Sequence, residues 1–572
     1  MRILLFFFFM VCLLQVKSQV LVRNTTVVDV ENKKLVAGKD VLVQNGIITA
    51  VGKKLPAPAG AQVIDGSGKF LMPGLVDAHV HFFQSGGIYT RPDAIDLRKN
   101  KPYEEEIRWT RQNMEAQLRR YTRAGITSVI DVGSTVNFLQ QRDTFRNKAY
   151  APTVYMTGPL LTTYEPEVFK GLGNDEPFYL MKTPEEARAY VRRQLPYKPD
   201  FIKIWYILLG RNKDSAARAS LPLVQAAIDE ARKNNLRIAV HATERITAQL
   251  AVEAGADLLV HGVEDEPIDE AFVSLLKRKG TVISPTMVVA GNYMKTFAQA
   301  YQPTPDDYRY AHPTPLASLY NLPAAKDTAL VNRYRAYALR NVTASEREDS
   351  IRRVNLQRLA NGGVIIATGT DAGNIGTQHV SSYYDELAAM QQSGMRGWDL
   401  LQASTINGAK AVGKEGEFGA VKKGLRADLL LLSKNPIEDF RNWQSIAVVI
   451  NRGAVLQPDS LLKPTPEELA DQQLLAYNAH NLEAFLEPYA EDVEIYELET
   501  NKLQVKGKEA MRKQYSFLNT AKTLYCNLLN RIVQDNIVVD HEEIWGEGGR
   551  KFYGLAIYEI KGDKIVRVWF PR

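Results

Sequence analysis

The feature that most constrains the fold of this chain is a repeated alternation of short apolar runs and longer helical stretches between Phe70 and Glu415. Strand and helix patterns that alternate in this way predict an α/β fold, with a parallel sheet and helices outside it. Eight repeats predict that the sheet closes into a (β/α)8 (TIM) barrel over residues 70–415. The runs are FLMPGLVDAHVHF, GITSVIDVG, TVYMTG, FIKIWY, RIAVHAT, ADLLVHG, TVISPTMVV and GVIIATGTDAG.

The largest insertion into this pattern lies between Thr286 and Gly363. Its first part is rich in tyrosine and proline, and its second part is charged and has a helical pattern. Connections of this size are uncommon in compact domains and are often functional. We therefore expect the insertion to cover the active face of the barrel as a lid or a specificity element.

The flanks of the barrel predict a smaller β-structure. From Val20 to Asp65, short alternating strands are separated by turn residues, and Asn45-Gly46 is a strong hairpin signal. The same alternation returns after the barrel in GLRADLLLLSKNP and IAVVINRGAVLQ. We expect residues 19–69 and 416–460 to build one composite β-sandwich domain beside the barrel.

The C-terminal part, residues 466–572, has a different pattern and follows the proline-marked linker LLKPTPEEL. Its first segment, EELADQQLLAYNAHNLEAFLEPYA, has helical periodicity. The segments LYCNLLNRIVQDNIVVDHEEIWG, KFYGLAIYEIKGD and KIVRVWFPR predict long strands. Helices followed by a curved antiparallel sheet describe a separate α+β domain.

Residues 1–18 have the pattern of a cleaved signal peptide. A short charged start is followed by the apolar run ILLFFFFMVCLLQV, which is too short to span a bilayer comfortably. We expect export to the periplasm or the medium, with no stable membrane anchor after cleavage. The alternative is an uncleaved anchor. Cys526 is the one cysteine that would remain, so no intrachain disulfide is expected.

The charge balance argues against a nucleic-acid partner. The chain has 71 basic and 65 acidic side chains, a formal net charge of +6. Loss of residues 1–18 removes two basic residues and no acidic one, which leaves +4. This excess is small, and the basic residues are interspersed with acidic ones, unlike the basic patches of nucleic-acid-binding proteins.

Histidine is concentrated at the ends of the predicted barrel strands. His79 and His81 end the first run, and their period-two spacing puts both imidazoles on one face of a strand. His241 ends the fifth run, His261 the sixth, and Asp371 the eighth. Because the carboxyl ends of barrel strands form one rim, these side chains are expected to meet there. They are candidate metal ligands.

Lys203 falls at the end of the fourth run, FIKIWY, on the same rim. An ammonium group beside bound cations would be repelled by them, more strongly in a pocket of low dielectric. Either no metal binds near Lys203, or the lysine no longer carries its charge. Carbamylation by CO2 would convert it into an anion whose two oxygens could bridge two metal ions.

Each of these features is weak alone. A His-X-His pair on a strand is often incidental, and a histidine at a strand end is often a core residue. The combination is more specific, because six side chains of ligand type end the first, fourth, fifth, sixth and eighth runs. It predicts a metal-dependent enzyme. His312 and His379 fall in predicted loops, where surface positions are expected.

The segments PGLVDAHVHF, FIKIWY, VHAT, LVHG and GTDAG resemble the amidohydrolase superfamily, in particular its imidazolonepropionase-like and prolidase-like branch. The resemblance extends from Val20 to Gln457. It implies two divalent cations, with zinc expected. The ligands that it implies are His79, His81 and Asp371 for the more buried ion, His241 and His261 for the more exposed ion, and carbamylated Lys203 as a bridge.

The same resemblance implies hydrolysis of a C–N bond in an amide, a peptide or a cyclic amide. Two cations would hold hydroxide near neutral pH and polarise the scissile carbonyl. Asp371 would take the proton and pass it to the leaving amine. The leading substrates are small molecules or short peptides, such as Xaa-Pro dipeptides and N-acylated amino acids, cleaved by a dipeptidase-like or carboxypeptidase-like enzyme.

Arg91, in GGIYTRPD, and Tyr206, after FIKIW, are candidate substrate-binding residues. Each could meet a substrate carboxylate or the developing oxyanion. Loop packing explains each of them equally well. The sequence also departs from many relatives at Tyr384-Asp385-Glu386, where they have a histidine before the glutamate, so the resemblance does not fix the substrate.

Two other functions stay open. His241-Ala242-Thr243-Glu244 is similar to the His-X-X-Glu of deaminases with one metal ion, where the glutamate is an acid and base. A simpler interpretation, that Glu244 opens the next helix near its positive end, fits better with Lys203. A non-catalytic ligand-binding protein is the other alternative, but all six candidate ligands are intact.

The C-terminal domain resembles the SnoaL-like, NTF2-like family, in AYNAHNLEAFLEPYAEDVEIYEL, NRIVQDNIVVDHEEIWG and IYEIKGDKIVRVWF. This resemblance implies a cone-shaped fold that relatives use for ligand binding, isomerisation or dimerisation. We expect an accessory module here, and a homo-oligomer. His541 and Glu542 could line the cavity of the cone, although exposed cross-strand positions are more common for such residues.

Overall fold

The computed structural model describes residues 19–208, 212–521 and 523–571. The expected signal peptide at residues 1–18 lies outside the described residues. The hairpin between the second and third strands turns at Asn45-Gly46, where both residues have positive φ, as this pair predicts. The strands before the barrel are β1 Gln19–Asp29, β2 Lys34–Gln44, β3 Ile47–Gly52, β4 Gln62–Asp65 and β5 Phe70–Pro73.

Parallel strands at the predicted runs form the barrel. The first two are buried along their whole length, because helices cover their outer face and side chains fill the inside. Two short strands, β9 and β10, were not predicted. The barrel strands are β6 Leu75–Val80, β7 Ile126–Asp131, β8 Thr153–Met156, β9 Leu160–Thr162, β10 Phe178–Leu180, β11 Phe201–Trp205, β12 Arg237–His241, β13 Leu258–Val260 and β14 Val282–Ser284.

The eighth run closes the barrel without forming a regular strand. On one side Ile366 bridges Ile283 of β14, and the Ala367 amide donates to the Ile283 carbonyl at 2.8 Å. On the other side Ala372 bridges Val80 of β6. The predicted barrel is therefore confirmed, and the end of the eighth run lies beside the end of the first.

Helices connect the strands, and the insertion between Thr286 and Gly363 is helical. In the part of the chain that the structure describes, no helix combines the length and apolar character that crossing a membrane requires. The helices are α1 Tyr103–Gln112, α2 Met114–Arg123, α3 Val136–Phe145, α4 Pro184–Gln194, α5 Lys213–Lys233, α6 Arg245–Ala254, α7 Glu270–Lys279, α8 Val289–Phe297, α9 Pro305–Tyr310, α10 Pro313–Ser318, α11 Thr328–Arg340, α12 Val342–Asn361, α13 Ser381–Gln392, α14 Trp398–Ala403 and α15 Ile406–Ala411.

Strands from both flanks of the barrel share one sheet, as the sequence predicts. After the barrel come β15 Leu429–Leu432, β16 Ile446–Asn451 and β17 Ala454–Leu456. The order in the sheet is β17-β16-β15-β5-β1-β2-β3, with β4 beside β1. A separate apolar core forms on this sheet, with Val20 and Val43 from the first flank and Leu429 and Ile450 from the second.

The C-terminal domain has the predicted α+β composition. Its sheet has the order β19-β18-β23-β22-β21-β20, and an apolar core lies between this sheet and the helices. One predicted long strand is instead a hairpin that reverses at Asp535-Asn536, where Asp535 has a φ of 52°. The elements are α16 Pro466–Asn478, α17 Leu482–Leu486, β18 Tyr489–Glu497, β19 Lys502–Lys506, α18 Lys508–Gln514, β20 Tyr525–Gln534, β21 Ile537–Trp545, β22 Lys551–Lys561 and β23 Lys564–Phe570.

A buried ion cluster joins α16 to the barrel region. Glu468 accepts hydrogen bonds from Arg120 Nη2 at 2.8 Å and His312 Nε2 at 3.1 Å. His312 Nδ1 accepts from the Thr314 amide, so Nε2 carries the proton. The expected surface position of His312 is wrong: the side chain is buried, because the C-terminal domain covers it.

Burial alone would raise the pKa of Glu468, but the hydrogen bond from His312 and the charge of Arg120 outweigh it and lower this pKa to about 2. A carboxyl group with a depressed pKa stabilises the folded state above its unfolded pKa, here 4.5. This stabilisation is lost as the pH falls towards 2.

We expect Glu468→Gln to lower the free energy of unfolding by about 3 kcal/mol at pH 7, because Arg120 stays buried without its counter-charge. The difference from the wild type should shrink as the pH falls from about 4.5 to 2. Urea unfolding at several pH values measures both effects. The control is Glu115→Gln, which removes an exposed pair with Arg119 and should cost below about 1 kcal/mol. Equal effects of the two variants would contradict the role of Glu468.

Candidate metal centre

One cavity brings together all six predicted ligands. It has a volume of about 360 Å³ and lies at the carboxyl ends of the barrel strands. The side chains reach it from β6, β11, β12, the end of β13 and the closing run, which are distant in sequence. The predicted ligands that line this cavity are His79, His81, Lys203, His241, His261 and Asp371.

Asp371 lies at the centre of the cluster. Its Oδ1 is 3.1 Å from His79 Nε2 and 3.0 Å from His81 Nε2, and its Oδ2 is 4.0 Å from His261 Nε2. The rings of His241 and His261 are 4.4 Å apart. Ligand atoms of His79, His261 and Asp371 all lie within 4.8 Å of one another, close enough to hold one cation.

The histidines present nitrogen lone pairs to the cavity. Burial lowers the pKa of His79 to about 4 and those of His241 and His261 well below their usual value, so these rings are neutral at pH 7. His81 Nδ1 hydrogen bonds to the Gly133 carbonyl at 2.8 Å, which leaves its Nε2 for the cavity. Partners of this kind orient metal-binding histidines.

His79 gives the clearest sign that a ligand is needed. Both of its ring nitrogens are buried: Nδ1 has no hydrogen-bond partner among the described residues, and Nε2 faces the Asp371 carboxylate at 3.1 Å without hydrogen-bond geometry. Leaving a buried polar atom unpaired costs about 1–3 kcal/mol. A neutral imidazole with an unpaired nitrogen beside an ionised carboxylate fits a divalent cation, and the donor set of nitrogen and oxygen atoms suits zinc.

Lys203 is almost fully buried on β11, and within the described residues no hydrogen bond or ion pair of its amine is found. Burial lowers the pKa of Lys203 to about 7, and the nearby Asp371 and Asp131 oppose this only in part. The amine is therefore partly neutral at pH 7, and it can act as a nucleophile.

The backbone at two of the candidate ligands is strained. Asp371 has a φ of 62° and His261 a φ of 78°, in the left-handed region that residues other than glycine rarely adopt. Such a conformation costs about 1–3 kcal/mol per residue. The Asp371 amide donates to the His79 carbonyl at 2.7 Å, and the His261 amide donates to the Ser284 carbonyl at 2.9 Å. These bonds hold the strained turns.

Two buried carboxyl groups behind the candidate ligands were not predicted from the sequence. Asp77 accepts from the Thr370 hydroxyl at 2.9 Å, and Asp131 accepts from the amides of Phe82 and Gly133. Burial raises the pKa of each to about 7. They fix the ends of β6, β7 and the closing run. An aspartate inside the apolar runs LVDAHV and SVIDV was a signal that could have identified them.

Of the two predicted substrate-binding residues, the structure brings only Arg91 to the cavity. Its Nε and Nη2 bind Asp93 at 2.8 and 2.6 Å, and its Nη1 donates to Asn374 Oδ1 at 2.6 Å. Tyr206 is fully buried outside the cavity lining, and its hydroxyl donates to the Ala217 carbonyl. The prediction that Tyr206 contacts the substrate is therefore wrong, because this side chain packs against α5.

The structure also explains three other sequence features. Glu244 stands at the N-cap of α6, with Oε2 bound by the Thr247 hydroxyl at 3.1 Å, outside the cavity lining. Glu386, after the unusual Tyr-Asp pair, is buried and accepts the Met287 amide at 2.9 Å. The expected surface position of His379 is wrong: it is buried, and its ring stacks on Phe82.

In the C-terminal domain, Glu542 faces inward and His541 faces outward. Burial, together with the charge of Asp540, raises the pKa of Glu542 to about 7. His541 is exposed on the other face of the same strand. The two side chains therefore do not share one cavity.

We expect Thr286→Val to weaken binding of a divalent cation such as zinc by about 10–100-fold. The Thr286 hydroxyl lies 2.7 Å from His261 Nδ1, and without this bond the ring loses its fixed orientation. Thr281→Val is the matched control, since it removes a buried hydroxyl bonded to the Ala256 carbonyl, away from the cavity. Competition with a chelator measures the affinity. Equally weak cation binding by Thr281→Val and Thr286→Val would contradict the role of Thr286 in orienting His261.

Comparison with known proteins gives the family. The model of the amidohydrolase family matches residues 70–456, and the model of the SnoaL-like domain matches residues 470–568. Ochratoxinase of Aspergillus niger is 24% identical over 405 residues, which are 65% of this chain and 72% of ochratoxinase. Dihydroorotase of Trichlorobacter lovleyi is 51% identical over 47 residues, 8% of this chain and 11% of that enzyme.

Solved structures show the same fold. A Xaa-Pro dipeptidase with bound methionine in its active site is 23% identical, with a TM-score of 0.58 over 77% of this chain and 100% of that chain. The crystal structure of A. niger ochratoxinase is 18% identical, with a TM-score of 0.57 over 77% of this chain and 96% of that chain. Since the family model spans more than half of its residues, this chain belongs to the amidohydrolase family, as a hydrolase of carbon–nitrogen bonds with a C-terminal SnoaL-like domain.

Proposed function

We propose that this chain hydrolyses an amide or peptide bond with the help of two zinc ions held by the six clustered side chains. The observation that carries the proposal is the buried ring of His79, whose Nδ1 has no described partner and whose Nε2 faces the ionised Asp371 without a hydrogen bond. In a packed interior such atoms are expected to have a partner. A divalent cation supplies the missing partner for several of these groups at once.

The ligand positions divide into two groups. His79, His81 and Asp371 come from the junction of the first strand with the closing run and would hold the more buried ion. His241 and His261 come from neighbouring strands and would hold the second. When bound, the two ions would lower the pKa of a water molecule and polarise a substrate carbonyl.

Lys203 would bridge the two groups as a carbamate. Its neutral amine attacks the carbon of CO2, one N–H proton leaves to solvent, and the side chain becomes an anion with two oxygens. The lowered pKa of Lys203 and its lack of a described anionic hydrogen-bond partner support this step. An anion there removes the repulsion that an ammonium group would exert on cations.

Asp371 would move the proton. Burial alone would raise the pKa of its carboxyl, but the contacts with His79 and His81 hold this pKa well below the usual range, so Asp371 is ionised. Oδ1 accepts from Asn374 Nδ2 at 2.8 Å, which fixes the carboxylate plane. Asp371 would take a proton from the attacking water and deliver it to the leaving nitrogen.

The substrate we propose is an N-acylated amino acid or a short peptide. Support comes from the names of similar proteins, a Xaa-Pro dipeptidase and an ochratoxinase, and from Arg91 at the cavity wall. The Arg91 guanidinium has N–H groups beyond those that bind Asp93 and Asn374, and these would meet a substrate carboxylate.

No described contact supports the deaminase alternative. Glu244 lies outside the cavity lining and binds its own helix end. A deaminase with one metal ion would not need Lys203, so activity of a Lys203 variant separates the two reactions. A non-catalytic ligand-binding protein would lack hydrolysis with every substrate in a dipeptide and N-acyl amino acid library.

We also propose export and self-association. Residues 1–18 would direct export and be removed, and N-terminal sequencing of the mature protein would show a start near Gln19. An unprocessed N-terminus would contradict cleavage.

The proposed homo-oligomer would give a multiple of the chain mass in light scattering, whereas the mass of a single chain would contradict self-association.

We expect the purified protein to hold two zinc ions per chain and Lys203→Ala to hold fewer, with kcat lowered by at least about 100-fold. Elemental analysis and steady-state kinetics measure both. Removal of the metal with a chelator should abolish hydrolysis, and zinc should restore it. Full activity of Lys203→Ala with one ion per chain would instead support the alternative with a single metal ion.

We expect Asp371→Asn to lower kcat by about 10²–10⁴-fold, because an amide cannot carry the proton to the leaving nitrogen. Asp93→Asn is the control, since it changes a carboxylate in the same cavity that binds Arg91 and no predicted ligand. It should raise KM for substrates with a carboxylate more than it lowers kcat. A larger loss of kcat in Asp93→Asn than in Asp371→Asn would contradict the role of Asp371.

A further inference from the structure

The cavity has two walls of different chemistry. The polar wall contains Arg91, Asp93, Asn374 and Tyr293. Its charges are paired, because Arg91 binds Asp93 through two hydrogen bonds. Both Arg91 Nη1 and the Tyr293 hydroxyl donate to the single oxygen Asn374 Oδ1, at 2.6 and 2.8 Å. This wall is therefore polar, ordered and close to neutral.

The lining on the side of β9, β10 and β11 is apolar and largely aromatic. It contains Leu160, Phe178 and Trp205. The rings of Phe178 and Trp205 stack with centroids 4.8 Å apart and planes 27° apart. The Phe169 ring packs against Phe178, with ring centroids 5.5 Å apart, and so helps to hold the Phe178 ring in place. Trp205 is only partly buried, and it lines the cavity beside His241.

The proton path decides which part of the substrate meets each wall. Asn374 ties Asp371 to the polar wall through a hydrogen bond of 2.8 Å. In the proposed reaction Asp371 would deliver its proton to the leaving nitrogen, so the leaving amine would lie on the side of Asn374 and Arg91. The acyl group, on the other side of the scissile bond, would then point towards Phe178 and Trp205.

We infer that this enzyme selects amides whose acyl group is aromatic, such as an aroyl amino acid, through the stacked pair Phe178 and Trp205. This inference rests on the proposed function and deepens it. An aromatic acyl ring would bury a large flat area against this wall and gain a preferred offset or edge contact with the indole of Trp205. A small acyl group such as acetyl leaves the same wall uncovered.

Three acyl groups on one leaving amino acid separate ring stacking from apolar contact. The three acyl groups are benzoyl, cyclohexanecarbonyl and acetyl. Each is attached to the amino acid whose N-acyl derivatives in a library are cleaved best by the zinc-loaded enzyme. We expect kcat/KM to be about 100-fold higher for benzoyl than for acetyl, and about tenfold higher for benzoyl than for cyclohexanecarbonyl. Equal values for benzoyl and cyclohexanecarbonyl would overturn the inference and leave the proposed hydrolysis intact.

Variants assign the preference to Trp205. Trp205→Leu should lower the ratio of benzoyl to acetyl kcat/KM by about tenfold, and Trp205→Phe should keep most of this ratio because it keeps a ring. Tyr553→Leu, at an aromatic residue exposed on the C-terminal domain, is the control and should change nothing. A ratio of benzoyl to acetyl kcat/KM that is unchanged in Trp205→Leu would overturn the inference.

A binding measurement decides the inference even if no amide in the library is cleaved. Calorimetry compares benzoate with cyclohexanecarboxylate, the acids that the two bulky amides would release, on the zinc-loaded protein. Benzoate should bind at least about tenfold more tightly, and Trp205→Leu should remove the difference. That result without hydrolysis would support the aromatic site and contradict the proposed reaction, whereas equal affinities would overturn the inference.

Discussion

The junction between the closing run and the first barrel strand is the contact on which the site depends. The Asp371 amide binds the His79 carbonyl at 2.7 Å, and Ala372 bridges Val80. Closing the barrel at this point places the Asp371 carboxylate 3.1 Å from His79 Nε2 and 3.0 Å from His81 Nε2. Barrel closure and assembly of the cluster are therefore one event, and a shift of the closing run by one residue would separate the carboxylate from both rings.

This junction gathers polar groups that the interior does not favour. His79 has two buried nitrogens without a hydrogen bond, Lys203 has a buried amine, and Asp371 and His261 have strained backbones. Each of these features costs free energy in a protein without bound ions. Cations that bind only the folded state would offset the cost, because binding to the native form stabilises it. The cluster is therefore unfavourable for packing alone and well suited to hold ions.

The sequence predicted the barrel and the clustering of the six side chains because both follow from local patterns. Apolar runs show where strands lie, and the carboxyl ends of parallel strands converge whatever the loops do. The path of the insertion is not local, so the positions of Thr286 and Tyr293 could not be predicted, nor could burial of His312 under the C-terminal domain. The alternation of side chains along a strand does distinguish two neighbours on β11: Trp205 shares a face with Lys203 and reaches the cavity, whereas Tyr206 points the other way.

The most direct test of the account is a crystal structure of the zinc-loaded protein with diffraction data collected on both sides of the zinc absorption edge. Two anomalous peaks are expected, one beside His79, His81 and Asp371 and one beside His241 and His261. Density at Lys203 should extend beyond the amine by a carboxylate that touches both peaks. A single peak with an unmodified Lys203, or zinc bound away from this cluster, would contradict a centre of two zinc ions at these residues.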